Sequence, residues 1–316
     1  MGAYLVTGGA GFIGSHLAVR LLGDGHRVRV LDNLATGRRE NLDAIRAADP
    51  DRRFEWMEGD IRDLATCRRA CEGVEFVLHQ AALASVPRSI ETPADTTAVN
   101  VSGFVNVLAA ARERGVRRVV AASSSSVYGD TPTLPKQEDM TPAPLSPYAV
   151  SKLAGEHFAR VFSQTIGLRT VSLRYFNVFG PRQDPHSQYA AVIPLFITSL
   201  LTGARPRVFG DGEQSRDFTY IDNVVEANLA ACTHCDGAGD AINVACGERY
   251  TLNQLLAEIG RNLGVTPNPE YLAPRPGDVR HSQASIERAS RMLGFVPRIG
   301  FEEGLKRTVE HFRRDA

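Results

Sequence analysis

The residues with the clearest chemical potential are a tyrosine and a lysine four positions apart, Tyr148 and Lys152. Residues at this spacing share one face of an α-helix, so a phenol and an ammonium group would be neighbours there. A free phenol has a pKa of about 10 and is a poor base at neutral pH, but an adjacent cation favours its anion. The spacing therefore predicts that Tyr148 is a general base and that Lys152 assists it.

A tyrosine and a lysine at this spacing also occur by chance on exposed helices, so the surrounding sequence must decide. The serines from Ser123 to Ser126 end a predicted strand before this helix, and Asn100 lies in the helix that precedes the strand. A hydroxyl group at the carboxyl end of a parallel strand faces the crevice in which open α/β sheets bind ligands. These neighbours favour a catalytic set of Ser124, Tyr148 and Lys152.

The elements that must position this set alternate along the chain. Short β-branched runs predict strands over residues 4–6, 28–31, 54–56, 74–78 and 119–122, with helix-like segments between them. That alternation is typical of an α/β fold with a parallel, doubly wound sheet. A polar loop over 130–147 leads into a predicted helix over 148–167 and then a strand over 169–175.

Three glycines, Gly8, Gly11 and Gly14, follow the first predicted strand and open a helix. A helix that begins there offers backbone amides and the positive end of its dipole to a pyrophosphate group. Gly8 lets the chain turn, Gly11 lets the backbone approach the phosphates, and Gly14 lets the helix pack on the strand. This context predicts a dinucleotide-binding site of the Rossmann type.

Asp32 ends the second predicted strand, 18 residues beyond the last of these glycines. A carboxylate there accepts both hydroxyls of an NAD ribose and repels a 2′-phosphate, so NAD is favoured over NADP. Arg38 and Arg39 could hold such a phosphate, which leaves NADP as an alternative. Asp60, after the third strand, could accept from the adenine amino group, or could instead cap the next helix.

The composition narrows the function further. The 316 residues include 36 Lys+Arg and 36 Asp+Glu, which gives no basic excess for binding nucleic acid. The five cysteines form no regular framework, and Cys232 and Cys235 have no second ligand pair at zinc spacing, so we expect reduced thiols and no metal site. Because the first predicted strand begins at about Ala3, we expect no signal peptide, and no apolar run reaches membrane-spanning length. We therefore expect a cytoplasmic protein without a membrane partner.

After residue 180 the predicted elements become shorter and less regular. We expect residues 1–180 to form the NAD-binding domain, including the helix of Tyr148 and Lys152. Residues 181–316 should form a smaller α/β lobe that mainly binds the substrate, with some segments returning to the sheet.

Ordered motifs along essentially the whole chain resemble the extended short-chain dehydrogenase/reductase superfamily, and within it the UDP-hexose 4-epimerases. The motifs are TGGAGFIG at 7–14, GDIRD at 59–63, HQAA at 79–82, SSSSVYGD at 123–130, SPYAVSK at 146–152, LRYFNVFGPRQ at 173–183, GDGEQSRDF at 210–218 and RPGD at 275–278. The resemblance implies a Rossmann-type doubly wound parallel sheet with a smaller C-terminal substrate-binding lobe.

The resemblance also implies a tightly held NAD that acts as a regenerated oxidant. Tyr148 would take the proton from the sugar 4-hydroxyl while hydride leaves C4 for NAD, and Ser124 would hydrogen-bond O4. The 4-keto sugar would then turn within the pocket and receive the hydride on its opposite face, which inverts C4. The residues expected to bind NAD are Gly8, Gly11, Phe12, Ile13, Gly14, Asp32, Asn33, Gly37, Asp60, Ile61, Gln80, Ala81, Ala82, Asn100, Ser123, Tyr148, Lys152 and Tyr175.

Related families share the oxidation and differ in the later steps of the reaction. In 4,6-dehydratases and uronate decarboxylases the segment before Val-Tyr-Gly carries acids that serve the later elimination or decarboxylation. The corresponding residues here are Ser125 and Ser126. Without a carboxylate at these positions, simple epimerisation is favoured.

Further residues are placed around a UDP-sugar by the resemblance. The two arginines, Arg216 and Arg275, suit a pyrophosphate because a guanidinium group pairs with it through two hydrogen bonds. Asp278 could accept from ribose hydroxyls. The residues expected to bind the substrate are Ala84, Ser85, Ser124, Ser125, Ser126, Tyr148, Asn177, Val192, Phe209, Arg216, Arg275, Asp278 and Ser282.

Ser282 bears on the choice of sugar. In epimerases restricted to UDP-glucose this position carries a bulky tyrosine, whereas a serine leaves volume for an N-acetyl group. The segment 84–89 also resembles epimerases that handle UDP-N-acetylglucosamine and UDP-N-acetylgalactosamine, with Ser85 able to contact the substituent or the diphosphate. We therefore expect N-acetylated substrates and allow for activity on UDP-glucose and UDP-galactose.

Two other functions are alternatives. UDP-glucuronate 4-epimerases have a similar serine-rich segment but tend to carry arginine where this chain has Asp184, and an acid near the sugar would discourage a second carboxylate. A non-catalytic NAD-binding sensor on the same fold would have no need of Ser124, Tyr148 and Lys152.

The predicted helices over 97–114 and 148–167 have apolar faces that include Val101, Val105 and Leu108. In the family the equivalent pair forms a four-helix bundle with a second subunit, which implies a homodimer. The alternative is that these faces only cover the sheet.

Overall fold

A seven-stranded parallel sheet organises the chain, and the computed structural model describes residues 1–185, 191–235, 237–274 and 279–315. Its strands are β1 (Ala3–Thr7), β2 (Arg27–Asp32), β3 (Phe54–Glu58), β4 (Phe76–His79), β5 (Arg118–Ser124), β6 (Thr170–Tyr175) and β11 (Ala238–Val244). They lie in the order β11-β6-β5-β4-β1-β2-β3. The predicted doubly wound α/β fold is confirmed.

Helices cover both faces of this sheet. They are α1 (Phe12–Gly23), α2 (Arg39–Ala47), α3 (Leu64–Ala70), α4 (Val86–Glu91), α5 (Pro93–Thr97), α6 (Phe104–Glu113), α7 (Pro147–Val161), α8 (Val192–Leu201), α9 (Ile221–Thr233), α10 (Leu252–Leu263), α11 (Glu287–Leu293) and α12 (Phe301–Asp315). Within the described ranges, none of them is long and apolar enough to cross a membrane.

The side chains of β1 alternate between the two hydrophobic cores that lie on opposite faces of the sheet. Successive side chains of a strand point to opposite faces. Val6 therefore packs in the core beside Leu17 of α1, whereas Leu5 packs in a second core beside Leu108 of α6. Both faces of the strand are buried, which is typical of a parallel sheet and explains its continuous apolar run.

Short strand pairs build the C-terminal part. β7 (Val178–Phe179) pairs with β10 (Thr219–Tyr220), β8 (Arg207–Phe209) with β13 (Glu270–Leu272), and β9 (Ser215–Arg216) with β12 (Tyr250–Thr251). Strand β11 also comes from this part of the chain, and it pairs with β6 at the edge of the main sheet. A boundary between two domains at residue 180 stays a prediction.

Several predicted bounds differ from the structure. Val74 is buried but precedes β4, which begins at Phe76. The predicted helix over 148–167 is α7 followed by a π-helical turn, Phe162–Ile166, and it ends at Gly167 with a left-handed φ of 82°. The helix predicted over 97–114 is also divided, because a π-helical turn over Ala98–Gly103 separates α5 from α6.

Candidate active site

A cavity of about 480 Å³ runs along the carboxyl ends of the central strands. This is the place where open α/β sheets bind ligands, and the volume suits a large organic ligand. The predicted NAD-binding residues that line it are Gly8, Gly11, Phe12, Ile13, Gly14, Asp32, Asn33, Asp60, Ile61, Gln80, Ala81, Ala82, Ser123, Tyr148, Lys152 and Tyr175. Gly37 and Asn100 are the two members of that set that do not line it.

The glycines at the start of α1 permit a close approach of two loops. Gly8 has a left-handed φ of 69°, and a Cβ atom on it would lie 2.6 Å from the Ala81 nitrogen. A Cβ atom on Gly14 would overlap the Gly8 carbonyl oxygen. Only glycine fits these positions, and the resulting cradle exposes the first backbone amides of α1 to the cavity, as a dinucleotide pyrophosphate requires.

The Asp32 carboxylate lies at the end of β2 with each oxygen fixed by a backbone amide. Oδ2 accepts from the Ala10 nitrogen at 3.0 Å and Oδ1 from the Leu34 nitrogen at 2.8 Å. Burial raises the pKa of Asp32, and these backbone hydrogen bonds oppose the rise. A Cβ atom on Gly37 would lie 2.9 Å from Oδ1, so Gly37 acts on the site by making room for this carboxylate.

Asp60 lines the cavity and does not cap a helix, so the alternative of a capping role is wrong. The N-cap of α3 is Asp63, which accepts from the amides of Ala65 and Thr66 at 3.0 and 3.1 Å. Asp60 instead accepts from Asn33 Nδ2 at 2.8 Å and pairs with Arg62 at 2.7 Å. The Arg62 guanidinium lowers the pKa of Asp60 to about 2, so its carboxylate is charged at the cavity wall.

Lys152 and Tyr148 lie in the first turns of α7, which Ser146 caps through the Ala149 amide. Lys152 Nζ donates to the Ala122 carbonyl oxygen of β5 at 2.8 Å and lies 5.9 Å from the centre of the Tyr148 ring. Burial lowers the pKa of Lys152 to about 8, and Glu156 opposes this shift.

Burial also raises the pKa of Tyr148, against a hydrogen bond with Ser124. That Tyr148 acts as a general base assisted by Lys152 therefore stays a prediction. A positively charged nicotinamide, when bound, supplies the further charge that favours the phenolate.

The serines at the end of β5 have distinct partners. Ser124 Oγ accepts from the Ser126 amide at 3.1 Å and from the Ser126 hydroxyl at 2.9 Å. Ser125 and Ser126 begin a short 3₁₀ turn, Ser125–Tyr128. Ser123 donates to Glu156 Oε1 at 2.5 Å, which ties β5 to α7.

Asn100 does not line the cavity but hydrogen-bonds the segments that do. Its Oδ1 accepts from the Leu83 amide at 2.8 Å, and its Nδ2 donates to the Leu83 carbonyl oxygen and to Ser151 Oγ at 3.2 and 3.0 Å. It therefore holds the loop after β4, which contains Gln80, Ala81 and Ala82, against α7. Sequence reasoning expected a direct cofactor contact, whereas the structure makes Asn100 a support for that loop.

Tyr175 and Gln80 share a polar anchor that sequence reasoning missed. Asn228 of α9 is fully buried and donates to the Tyr175 hydroxyl oxygen at 2.9 Å. Gln80 Nε2 donates to the same oxygen at 3.2 Å. Burial raises the pKa of Tyr175 to about 12, so it remains a neutral phenol.

The predicted substrate residues lie mostly outside the cofactor cavity. Ser282 Oγ donates to Asn177 Oδ1 at 3.4 Å, which joins two predicted residues 105 positions apart. Ala84 lines the cofactor cavity, and Ser85 is the N-cap of α4. Val192 begins α8, Phe209 ends β8 and Arg216 ends β9. Arg275 and Asp278 lie outside the described residues.

Asp217, which was not predicted, anchors the segment that carries Ser282. Its side chain is fully buried and accepts from the amides of Cys246, Gly247 and Ala284 at 3.0, 3.1 and 3.1 Å. Burial raises its pKa to about 7. The motif GDGEQSRDF contained this residue, but nothing in its spacing showed that the carboxylate would face backbone amides rather than a ligand.

Two further cations line the cavity wall: Arg182, which sequence reasoning did not single out, and Arg38, which it named only as a possible partner of a 2′-phosphate. The Arg182 backbone amide donates to His311 Nε2 at 3.1 Å, and the Arg182 Nε atom lies 3.3 Å from His16 Nε2. Burial and Arg182 together lower the pKa of His16 to about 3, so this histidine is neutral. The Arg182 side chain is therefore a cation close to α1, where phosphates would bind.

Asp184 also lines the cavity, and it pairs with Arg38 at 3.8 Å. Arg38 directly precedes α2 and follows the turn after Asp32. Sequence reasoning used Asp184 as an acid near the sugar, but its ion pair places the charge beside the cofactor cavity. The Arg38 cation opposes the charge of this acid, so the argument against UDP-glucuronate loses force and stays a prediction.

Comparisons with known proteins agree with this geometry. A model of the NAD dependent epimerase/dehydratase family matches residues 4–245. The chain is 42% identical over 311 residues to a UDP-glucose 4-epimerase of Mycolicibacterium smegmatis, covering 98% of each chain. It is 35% identical over 319 residues to a UDP-glucuronate 4-epimerase of Thermodesulfobacterium geofontis, covering 98% of this chain and 95% of the relative.

Among solved structures, the chain resembles a UDP-N-acetylglucosamine 4-epimerase from Methanobrevibacter ruminantium in complex with UDP-N-acetylmuramic acid. The TM-score is 0.94 at 39% identity, and the match covers 100% of this chain and 99% of the other. Sequence, fold and cavity thus point the same way, and the chain belongs to the NAD dependent epimerase/dehydratase family.

Proposed function

We propose that this chain, an NAD-dependent UDP-sugar 4-epimerase, interconverts UDP-N-acetylglucosamine and UDP-N-acetylgalactosamine and also accepts UDP-glucose and UDP-galactose. The observation that carries this choice is the contact between Ser282 and Asn177. Both residues were assigned to the substrate from separate motifs, and they meet in the fold.

The size of Ser282 supports an N-acetylated sugar. The side chain is 9% exposed and lies in a segment that is tied to Ser215 through its backbone amide at 3.0 Å. Asn177 has a left-handed φ of 27°, a strained conformation of the kind that collects at ligand sites. A serine at this buried position is smaller than the tyrosine of epimerases restricted to UDP-glucose, and the proposal is that this difference in size accommodates the N-acetyl group.

The catalytic residues divide the proton chemistry. Tyr148 is the group that takes the proton from the sugar 4-hydroxyl and later returns it to O4, and Ser124 hydrogen-bonds the same oxygen. Lys152 holds a positive charge beside the phenol, anchored on the Ala122 carbonyl oxygen. Bound NAD supplies reversible hydride acceptance at C4. The sugar passes through a 4-keto form and returns with C4 inverted.

The turn after β5 supports epimerisation over elimination. Ser125 and Ser126, which begin this turn, carry hydroxyls, and Ser126 is hydrogen-bonded to Ser124. Neither residue can act as the carboxylic acid that a dehydration step needs.

UDP-glucuronate remains the second candidate substrate. Asp184, the acid that counted against a carboxylated sugar, is paired with Arg38 in the structure. The similarity to a UDP-glucuronate 4-epimerase is also extensive. A non-catalytic NAD-binding sensor is the candidate of another class, and it would leave every UDP-sugar unconverted.

The chain is also proposed to form a homodimer through α6 and α7. Val150, Phe158 and Val161 are exposed by 52%, 39% and 50%, and their spacing places them on one side of α7. Val101 and Val105 are half-buried, but Leu108 is fully buried under α6 and cannot belong to an outer face. Light scattering that returns a monomer at working concentration would refute the dimer.

The substrate test uses purified protein incubated separately with UDP-N-acetylglucosamine, UDP-glucose and UDP-glucuronate, followed by chromatographic separation of the epimers. We expect the fastest conversion with the N-acetylated sugar. Preferred conversion of UDP-glucuronate would support the second candidate. A protein that holds NAD and converts none of the three would overturn the epimerase assignment.

A further inference from the structure

One buried ion pair lies directly behind the catalytic residues and was not anticipated from the sequence. Glu156 is on α7, one turn beyond Lys152, and Arg174 is on β6. Their side chains are 4% and 3% exposed. Arg174 Nη2 donates to Glu156 Oε2 at 2.7 Å and Arg174 Nε donates to Glu156 Oε1 at 2.9 Å, so the guanidinium binds the carboxylate through two hydrogen bonds.

The pair connects the elements that carry the catalytic set. Ser123, next to the catalytic Ser124, donates to Glu156 Oε1. Arg174 Nη1 donates to the Tyr128 hydroxyl oxygen at 2.8 Å, and Tyr128 donates to Asn243 Oδ1 at 2.7 Å. The end of β5, the turn after it and β11 are thereby fixed relative to α7.

Stability alone is a poor reason for such a pair. Two charges that leave water lose hydration energy that their attraction often only balances, and apolar residues of similar size can replace them without loss. The position of the pair suggests instead that it serves the neighbouring groups. Lys152, Glu156, Ser123 and His79 line one small internal void.

The charged and titratable groups that face Lys152 can be named. Tyr148 and Glu156 share its helix, and His79 faces it from β4. Burial and Lys152 lower the pKa of His79 to about 3, so its imidazole is neutral. Glu156 thus supplies the negative charge that opposes the loss of the Lys152 proton.

We propose that Glu156, held by Arg174, is a positioning residue of the reaction, which anchors the strand end of Ser123 and Ser124 and sustains the positive charge of Lys152. The inference rests on the proposed function, because that function gives Ser124 and Lys152 their roles at the sugar 4-hydroxyl.

The lysine content of the chain allows a direct test. There are three lysines, Lys136, Lys152 and Lys306. Protein labelled with ¹³C at the lysine ε-carbon can be titrated by NMR, with Lys136→Arg and Lys306→Arg used to assign the signals. We expect the pKa of Lys152 at about 8 in the wild type and about one unit lower in Glu156→Gln.

A second variant is needed in case Glu156→Gln fails to fold. Glu156→Gln alone leaves Arg174 as a buried, unpaired charge, whereas Glu156→Gln with Arg174→Met removes both charges. A folded double variant should still show a lowered pKa of Lys152, by less than Glu156→Gln because no unpaired Arg174 cation remains, and a reduced kcat at pH 8 with KM changed by less than about twofold.

Glu138→Gln is the matched control. The Glu138 side chain is also 4% exposed and pairs with Arg288 at 3.7 Å, and it accepts from the Asn243 amide. Its loss should leave the Lys152 titration unchanged. Folded Glu156 variants with the wild-type pKa of Lys152 and the wild-type kcat would overturn the proposal, even if their melting temperature fell. The wild-type assay separates the two hypotheses. A wild type that epimerises no UDP-sugar would refute the proposed function, whereas the titration would still measure the effect of Glu156 on the pKa of Lys152.

Discussion

Lys152 reaches from α7 to the end of β5, where its ammonium group donates to the Ala122 carbonyl oxygen at 2.8 Å. The bond holds the cation at one place although burial disfavours its charge. It also leaves Lys152 beside the Tyr148 ring, so the proton chemistry of the site depends on how these two groups share one buried environment.

Replacement of Tyr148 by phenylalanine tests the proton-transfer role. The variant loses one hydroxyl and keeps the ring, so we expect the cavity and its NAD to be retained while turnover falls by roughly 10²–10⁴-fold. Bound NAD is measured after denaturation of the purified variant, and epimer formation by chromatography. Turnover near the wild-type rate would exclude Tyr148 as the base.

The lowered pKa of Lys152 predicts a pH-dependent stability. Because its pKa falls from 10.5 to about 8 on folding, the unfolded chain binds more protons between these values, and stability must rise with pH there. Relative to Lys152→Met, the wild type should gain about 3 kcal/mol of unfolding free energy between pH 8 and pH 10.5. Urea unfolding of both proteins across this range measures the difference. A constant difference would show that Lys152 has an ordinary pKa.

Ser282→Tyr tests the choice of sugar. A tyrosine ring beside Asn177 should fill the volume proposed for the N-acetyl group, so kcat/KM for UDP-N-acetylglucosamine should fall at least about tenfold more than that for UDP-glucose. Ser282→Ala is the control, since it removes the hydroxyl without adding bulk. Equal losses on both sugars would mean that residue 282 does not select between them.

The Arg38–Asp184 pair predicts an effect on cofactor release. It joins the segment before α2 to the loop after β7 across the cavity that both residues line. Both side chains are about two-fifths exposed, at 40% and 38%, so the expected effect of Asp184→Asn is modest, with NAD leaving about two to five times faster. Release can be followed by the fluorescence of bound NADH after chemical reduction.

Glu40→Gln is the control for that prediction, because Glu40 pairs with the same arginine at 3.4 Å on the α2 side of the cavity. The difference between Asp184→Asn and the wild type should shrink at 1 M salt, where exposed ion pairs are screened. Identical release rates in all three proteins would show that the pair does not retain the cofactor.

Local patterns carried much of the fold and of the cofactor site. The apolar runs of β1 and β2, the glycines before α1 and the helical spacing of Tyr148 and Lys152 are properties of short segments, and each is found where it was expected. The carboxylate of Asp32 follows from its place at the end of a strand.

Contacts between residues far apart in sequence could not be predicted from such local patterns. Glu156 and Arg174 belong to separate elements, and neither has a neighbour in sequence that signals an ion pair. Asp60 and Asp63 are equally plausible caps in sequence, and only the start of α3 distinguishes them. The ion pair between Asp184 and Arg38 could not be predicted either, because nothing in the motif of Asp184 indicates how its loop folds.

The position of β11 limits how the enzyme can be re-engineered. This strand comes from the C-terminal part, yet it covers the flank of β6, whose residues are all buried. A truncation after residue 180 would bare a long apolar edge that invites aggregation. Chimeras that exchange sugar specificity should therefore transplant loops around Ser282 and keep the native β11, since a cassette of residues 181–316 would bring a foreign strand into the sheet.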